Sequence, residues 1–312
     1  MARVVLVGRT FVFAAGIASF GIDDAIEVAN EVLESPKAAS GNVRVLGCRH
    51  GGSIAVATSS FISDTRVMKP FLILQLRPED ETSDNEYEAF LKFGELQPEE
   101  TERIRIERIG IPALDLGAYS GIIVGGSPFD ISTPPDKKSD IQKKIEADFD
   151  QLFQEVVARD FPFLGACSGN GLLGNFCGAT ISKKYGESVH GIDVTVTEAG
   201  KADPLLQGFP DTFRALVGHK EACDDVPPGA TLLGRGDVCP VQMFRVGQNV
   251  YATQFHPEAD AAGFTLRINI YKHNGYFPAE DAEKLIEAVE QEETPYAQEI
   301  LRRFVHRYRT SG

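Results

Sequence analysis

Residues 161–174 read FPFLGACSGNGLLG: an apolar run, a cysteine between small residues, then a glycine-spaced segment able to open a helix. A buried strand that ends in a tight turn and feeds a helix is the repeating unit of a parallel α/β sheet. A side chain on that turn projects above the carboxyl edge of the sheet, where ligands bind. Gly165 and Gly169 permit the turn and close packing, and the N–H groups after Cys167 would point from a helix N-terminus. Such dipoles lower a thiol pKa and stabilise a developing oxyanion. On this stretch alone Cys167 reads equally well as a nucleophile or as one more buried thiol.

The flanking sequence alternates in the same way. FLILQL (71–76), RIRIERI (103–109) and GIIVGG (121–126) read as strands, and DIQKKIEADFDQLFQEVVARD (140–160) as an amphipathic helix. Downstream, IDVTVT, TFRALVG, ATLLG, VQMFRVG and NVYATQF, separated by Gly and Pro turns, read as short strands and hairpins. The tail, AEDAEKLIEAVEQE and YAQEILRRFVHRY, is helical in pattern. The fold class is therefore α/β: a doubly wound, mostly parallel sheet with flanking helices and a helical C-terminal tail.

The expected organisation is an N-terminal appendage over 1–67, a main domain over 68–262 and a helical extension over 263–312. Residues 1–67 hold 6 basic and 6 acidic side chains, so the whole net charge of -14 lies beyond them. At Met68, MKPFLILQLRP looks like the opening of a protein. Upstream, RVVLVG, DDAIEVANEVLE, NVRVLGC and SIAVATSS read as strand, helix, strand and strand, faintly like the start of a DJ-1/PfpI-like domain. An incomplete α/β unit leaves strand edges uncovered, so this part is expected to be poorly integrated, either a truncated appendage or sequence read from an upstream start.

Composition removes several function classes. An acidic chain without a local basic face does not suit nucleic acid or anionic lipid. Arg9 splits the first apolar stretch, and no run reaches about 18 uninterrupted apolar residues, so neither a secretory leader nor a membrane span is expected and the compartment is the cytoplasm. Cysteines 48, 167, 177, 223 and 239 form no CxxC pair. A disulfide framework, a metal site and a cofactor are not expected.

A cysteine nucleophile needs a base and an orienter. Among six histidines, His256 stands out: NVYATQFHPEAD places it just after a strand, Pro257 ends the strand geometry, and Glu258 can hold the imidazole in one tautomer. In IIVGGSPFD (122–130) two glycines at a strand end could expose N–H groups to an oxyanion. HPE and GGSP are each compatible with a plain strand-end turn.

In the order GGSP, GACSGNG, QFHPE, the three segments resemble the class I glutamine amidotransferases, and within them stand-alone domains similar to the glutaminase half of GMP synthase. The resemblance runs over roughly 68–260 and includes YGESVHGIDVTVTEAGKADPLLQGFPDTF and VGHKEACDDVPPG. It implies a flavodoxin-like fold and glutamine or a related amide as substrate. Cys167 would attack the amide, His256 shuttle the proton and Glu258 orient His256, while the N–H groups of Gly126 and Ser168 hold the oxyanion. A γ-glutamyl thioester would form and ammonia would leave, for delivery to a separate synthetase.

One position departs from the family pattern. Where these enzymes usually carry a substrate-binding glutamine, four residues after the nucleophile, this chain has Gly171. Loss of that polar partner weakens discrimination and widens the pocket. Gln242 and His219 are candidates to line the pocket instead, against plainer readings as a satisfied strand residue and a loop histidine. Three readings follow: a glutaminase-type amidotransferase, a hydrolase of γ-glutamyl or other amides with the same triad, or a non-catalytic regulatory domain.

Overall fold

The computed structural model describes residues 68–273 and 277–310, together with four N-terminal strands. These strands, β1 (Arg3–Val7), β2 (Thr10–Ala14), β3 (Val43–His50) and β4 (Ser53–Ser60), form two antiparallel hairpins, β1 with β2 and β3 with β4. The helix expected at 23–34 lies outside the described residues. The chain divides into two compact units, 1–65 and 66–312. The second contains the elements that follow.

A nine-stranded sheet runs in the order β11-β10-β13-β14-β15-β8-β7-β5-β6. Its parallel half is β6 (Thr101–Arg105), β5 (Phe71–Gln75), β7 (Gly121–Val124), β8 (Phe163–Ala166) and β15 (Val250–Thr253). Antiparallel strands β10 (Glu187–Val196), β11 (Thr212–His219), β13 (Thr231–Arg235) and β14 (Met243–Val246) extend it beyond β15. A separate two-stranded pair, β9 (Ile181–Ser182) with β12 (Ala222–Cys223), closes the set.

The four inner parallel strands β5, β7, β8 and β15 are largely apolar because both faces are covered. Along β5, Phe71 and Ile73 enter one core with Phe90, Leu301, Phe304 and Val305, while Leu72 and Leu74 enter the other with Phe149, Phe153 and Leu172. The first layer carries α1 (Asp80–Gly94) and α6 (Pro295–Tyr308), and the second α2 (Asp140–Ala158) and α3 (Ser168–Phe176). A period of two along each strand thus feeds two helical layers, which is the doubly wound arrangement. The side chains of α6 are structural: Phe304 lies 6.3 Å from Phe71, ring centre to ring centre. Helices α4 (Ala261–Tyr271) and α5 (Ala282–Glu290) build a smaller core with Val189 and Leu216. No helix among the described residues is long and apolar enough to cross a membrane.

One strand differs from its sequence pattern. RIRIERI is extended only to Arg105, after which Ile106–Ile109 forms a single helical turn. Ile106 is fully buried there. The alternating pattern continued past the sheet because the next apolar side chain was needed under a turn.

Candidate active site

The site is assembled by strand register. Strands β8 and β15 are parallel neighbours with Ala166 opposite Thr253, so the chain just beyond each strand emerges at the same edge. The Cys167 N–H donates to the Thr253 carbonyl at 2.8 Å, locking the two ends together. Thr253 Oγ1 donates to the Phe255 carbonyl (2.9 Å) and the His256 N–H to Leu216 O (3.0 Å), which turns the chain back over β11. Cys167 and His256 consequently line one cavity.

Cys167 adopts φ 52°, ψ -96°, a left-handed conformation that costs a non-glycine residue of order 1–3 kcal/mol. It persists because strand and helix meet at close range: a Cβ on Gly165 would lie 2.7 Å from the Gly169 backbone. The elbow expected from GACSGNG is present. The expected acidity of the thiol is not. Burial pushes the Cys167 thiol up to about 12, outweighing the opposing pull of Arg77, although part of the residue reaches solvent.

His256 is buried, and its Nδ1 lies 2.7 Å from Glu258 Oε1. With a carboxylate at Nδ1, the proton belongs on that nitrogen and Nε2 is the acceptor. Burial lowers the imidazole pKa below 6.5 against the raising influence of Glu258. Burial works the other way on Glu258, but His256 and then Arg267 beside it hold the carboxyl well below the usual range. Phe264 packs edge-on to the imidazole, 5.3 Å between ring centres.

Two arginines that sequence reading missed complete the centre. Arg267 of α4 donates from Nη2 to Glu258 Oε1 at 3.1 Å, with Nη1 3.2 Å from His256 Nδ1. Arg77, two residues beyond β5, donates from Nε to Glu86 at 2.7 Å. Arg77 had a readable signal, since it lies at the carboxyl end of a parallel strand. Arg267 and Glu86 had none, because a buried charge on a helix breaks the apolar stripe by which a helix is recognised.

The remaining expected residues are placed as follows. The Gly126 N–H donates to Glu86 Oε1 at 3.2 Å, so in this conformation it is engaged by a carboxylate. Ser168 opens α3, where the first N–H groups lack an intrahelical acceptor, and its hydroxyl accepts from the Ser127 N–H at 2.8 Å. Gly171 lines a second cavity beside Cys167, with Asp130, His219, Lys220, Glu221 and Gln254. The expected widening at Gly171 does not occur, because a Cβ there would lie 2.9 Å from Ile131 Cδ1. Ile131 is held in place by Glu221, whose carboxylate accepts from the Ile131 and Ser132 N–H groups at 2.6 and 2.8 Å.

Gln242 lines neither cavity. It is fully buried, and its amide donates to Glu187 Oε2 at 2.7 Å, which also meets His219 Nε2 at 3.0 Å. His219 does reach the Gly171 cavity wall. Gln254, unremarked in the sequence, is the buried amide on that wall, and its Oε1 has no hydrogen-bond partner among the described residues. Cys223, in β12, and Cys239 are both buried. Glu187, His219 and Cys239 bring donor atoms within 4.8 Å of one another, the one such group among the described residues. Their lone pairs and protons are already engaged with one another, with Gln242 and with the Val241 carbonyl.

A family model described as glutamine amidotransferase class-I matches residues 98–267. A glutamine-hydrolysing GMP synthase subunit from Pyrococcus abyssi is 26% identical over 140 residues, 45% of this chain and 66% of that one. Gamma-glutamyl peptidase 3 of Arabidopsis thaliana is 28% identical over 156 residues, covering 46% and 56% of the two chains. The chain thus spans less than two thirds of the length of each of these relatives. In structure it is similar to a glutamine amidotransferase from Thermotoga maritima, with TM-score 0.61 and 22% identity over 77% of this chain and 98% of that one. A glutamine amidotransferase from Methylobacillus flagellatus gives TM-score 0.59 at 17% identity, over 78% and 97%. These likenesses carry the fold, and the family match spans more than half of the sequence: the chain belongs to the class-I glutamine amidotransferase family.

Proposed function

We propose that the protein cleaves a glutamine-type side-chain amide through a thioester on Cys167. The observation that carries this reading is the convergence at one sheet edge of the Cys167 elbow and a buried His256–Glu258 pair lining the same cavity. Thiol and imidazole are both neutral at rest, since burial raises one pKa and lowers the other. His256 Nε2 takes the thiol proton as Sγ attacks the amide carbon, and Glu258 stabilises the imidazolium that forms. The Ser168 N–H meets the oxyanion, joined by Gly126 once its N–H leaves Glu86. The imidazolium then protonates the departing nitrogen, and water frees the acid.

In the glutaminase form of this reading, ammonia passes to a separate synthetase in the cytoplasm, in keeping with the GMP synthase relative being one component of its enzyme. The second form, hydrolysis of γ-glutamyl amides, draws on the γ-glutamyl peptidase relative and on Ile131 in place of a polar side chain beside Gly171. Glutamate release from glutamine by the wild type and by Cys167→Ala, with intact-mass detection of a glutamine-analogue electrophile on Cys167, tests the shared chemistry. Unlabelled wild-type protein without turnover would sink it.

A further inference from the structure

Cys167 lies between two cavities of different character. The one past Ser168 and Gly171 is walled by Asp130, Lys220, Glu221 and Gln254. The one containing His256 is walled by Val189, Phe264, Ile268 and Phe277 together with Arg77, Arg267 and Tyr271. In thioester formation the acyl half of the substrate stays on sulfur, and the amine half leaves with a proton from the imidazolium. The amine half therefore lies on the His256 side and the acyl half on the Gly171 side.

The two arginines in the His256-side wall each already face a glutamate, although Arg267 Nε has no hydrogen-bond partner among the described residues. Arg77 donates to Glu86 at 2.7 Å and Arg267 to Glu258 at 3.1 Å. A carboxylate on the leaving group would add a third buried negative charge against two arginines that already face Glu86 and Glu258, and buried charge in excess of its partners is strongly disfavoured. Ammonia, conversely, gains nothing from the apolar side chains of Val189, Phe264, Ile268 and Phe277. The cavity measures about 40 Å³. That is about a quarter of the roughly 150 Å³ apolar cavity that takes up benzene, so it admits a short alkyl group but no aromatic ring.

We infer that this cavity is a leaving-group subsite for a short, uncharged alkyl amine, so that γ-glutamyl N-alkylamides are substrates in preference to glutamine. The inference rests on the amide-cleaving reading of Cys167. In the balanced step the Sγ–C bond forms and the C–N bond breaks. The thiol proton passes through His256 Nε2 to the departing nitrogen, which leaves as a primary amine. Water then hydrolyses the thioester, giving the γ-carboxylate and the thiol. Each buried methylene is expected to raise kcat/KM about fourfold.

The test measures kcat/KM of the full chain for glutamine, γ-glutamylmethylamide, γ-glutamylethylamide and γ-glutamylglycine. The ethylamide is expected to exceed glutamine by about 16-fold, with the methylamide between at about fourfold and γ-glutamylglycine lowest. Val189→Phe, which fills the cavity, is expected to invert the alkylamide-to-glutamine ratio. Ile268→Val, which enlarges it by one carbon in a substitution the core tolerates, is expected to move the optimum toward the propylamide. Glutamine cleaved as well as or better than both alkylamides would overturn the subsite and leave the Cys167 reading standing. Preference for γ-glutamylglycine would overturn it in favour of a carboxylate-bearing leaving group. No turnover of any of the four, with no acylation of Cys167, would overturn both.

Discussion

Among the described residues two sets of cysteine, histidine and glutamate can be set side by side: Cys167, His256 and Glu258, proposed to do chemistry, and Cys239, His219 and Glu187. In both a histidine nitrogen lies close to a carboxylate, His256 to Glu258 at 2.7 Å and His219 to Glu187 at 3.0 Å. In both burial pushes the thiol up to about 12. The difference is what the second ring nitrogen and the sulfur face. His219 has its other nitrogen 3.0 Å from the Glu221 carbonyl, and Cys239 Sγ donates to Val241 O, so the imidazole and the thiol of that set are both committed. His256 keeps Nε2 for a cavity, and Cys167 is thrown into the same cavity by its left-handed backbone. Residue types and pairing are shared; reactivity comes from the groups left uncommitted beside open space.

The two sets should part most widely at their thiols. Cys167→Ala is expected to reduce turnover by at least about 10⁴, as loss of a nucleophile does elsewhere, whereas Cys239→Ala keeps it within a few-fold. Amide-release assays on the two variants side by side check this, and equal losses would mean the wrong cysteine has been singled out. The carboxylates come next. Glu258→Gln leaves His256 without its orienting anion and is expected to lower kcat about 10²- to 10⁴-fold. Glu187→Gln strips partners from His219 and Gln242 and is expected instead to cost about 1–3 kcal/mol of stability, read by denaturant unfolding.

A smaller effect isolates the role of Arg267. Its charge lowers the His256 pKa after burial has done so, so Arg267→Met should move the acid limb of kcat/KM to higher pH and lower the plateau about tenfold. A purely structural arginine would lower the plateau and leave the limb in place. Next in size is acid stability. His256 and Glu258 both have folded-state pKa values below their ordinary ones, so their contribution is present above about pH 6.5 and is lost as pH falls through the lowered values. The thermal midpoint of the wild type should therefore drop on acidification more steeply than that of His256→Gln. Smallest of all, a chain beginning at Met68 is expected to match the full chain in stability and turnover within experimental scatter, because the main sheet's order contains none of the four N-terminal strands.

Much of this was legible beforehand because parallel strands advertise themselves. FLILQ, GIIV and FLGA are almost wholly apolar, and the glycine-bracketed Cys167 follows the last of them at the edge where ligands bind. Helix α1 was not legible, since the residues it buries are Thr82, Ser83, Glu86, Phe90 and Gly94, three of them polar. Helix α4 hides Arg267 among Phe264, Ile268 and Tyr271 in the same way. Such faces make sense only against partners on the neighbouring strand end or turn, Gln75 and Arg77 for Glu86 and the HPE turn for Arg267.

Local pattern in the chain was thus enough to specify the parallel strands and the elbow, because apolar runs and glycine spacing act over a few residues, whereas Cys167, His256 and Glu258 were singled out as candidates by the resemblance of three segments, taken in order, to a family. Three-dimensional packing was needed to make the thiol neutral at rest, to engage Gly126 with Glu86, to fill with Ile131 the space Gly171 leaves, and to turn Gln242 away from the site. Each of these depends on desolvation or on contact between residues far apart in the chain, and neither is written in neighbouring residues.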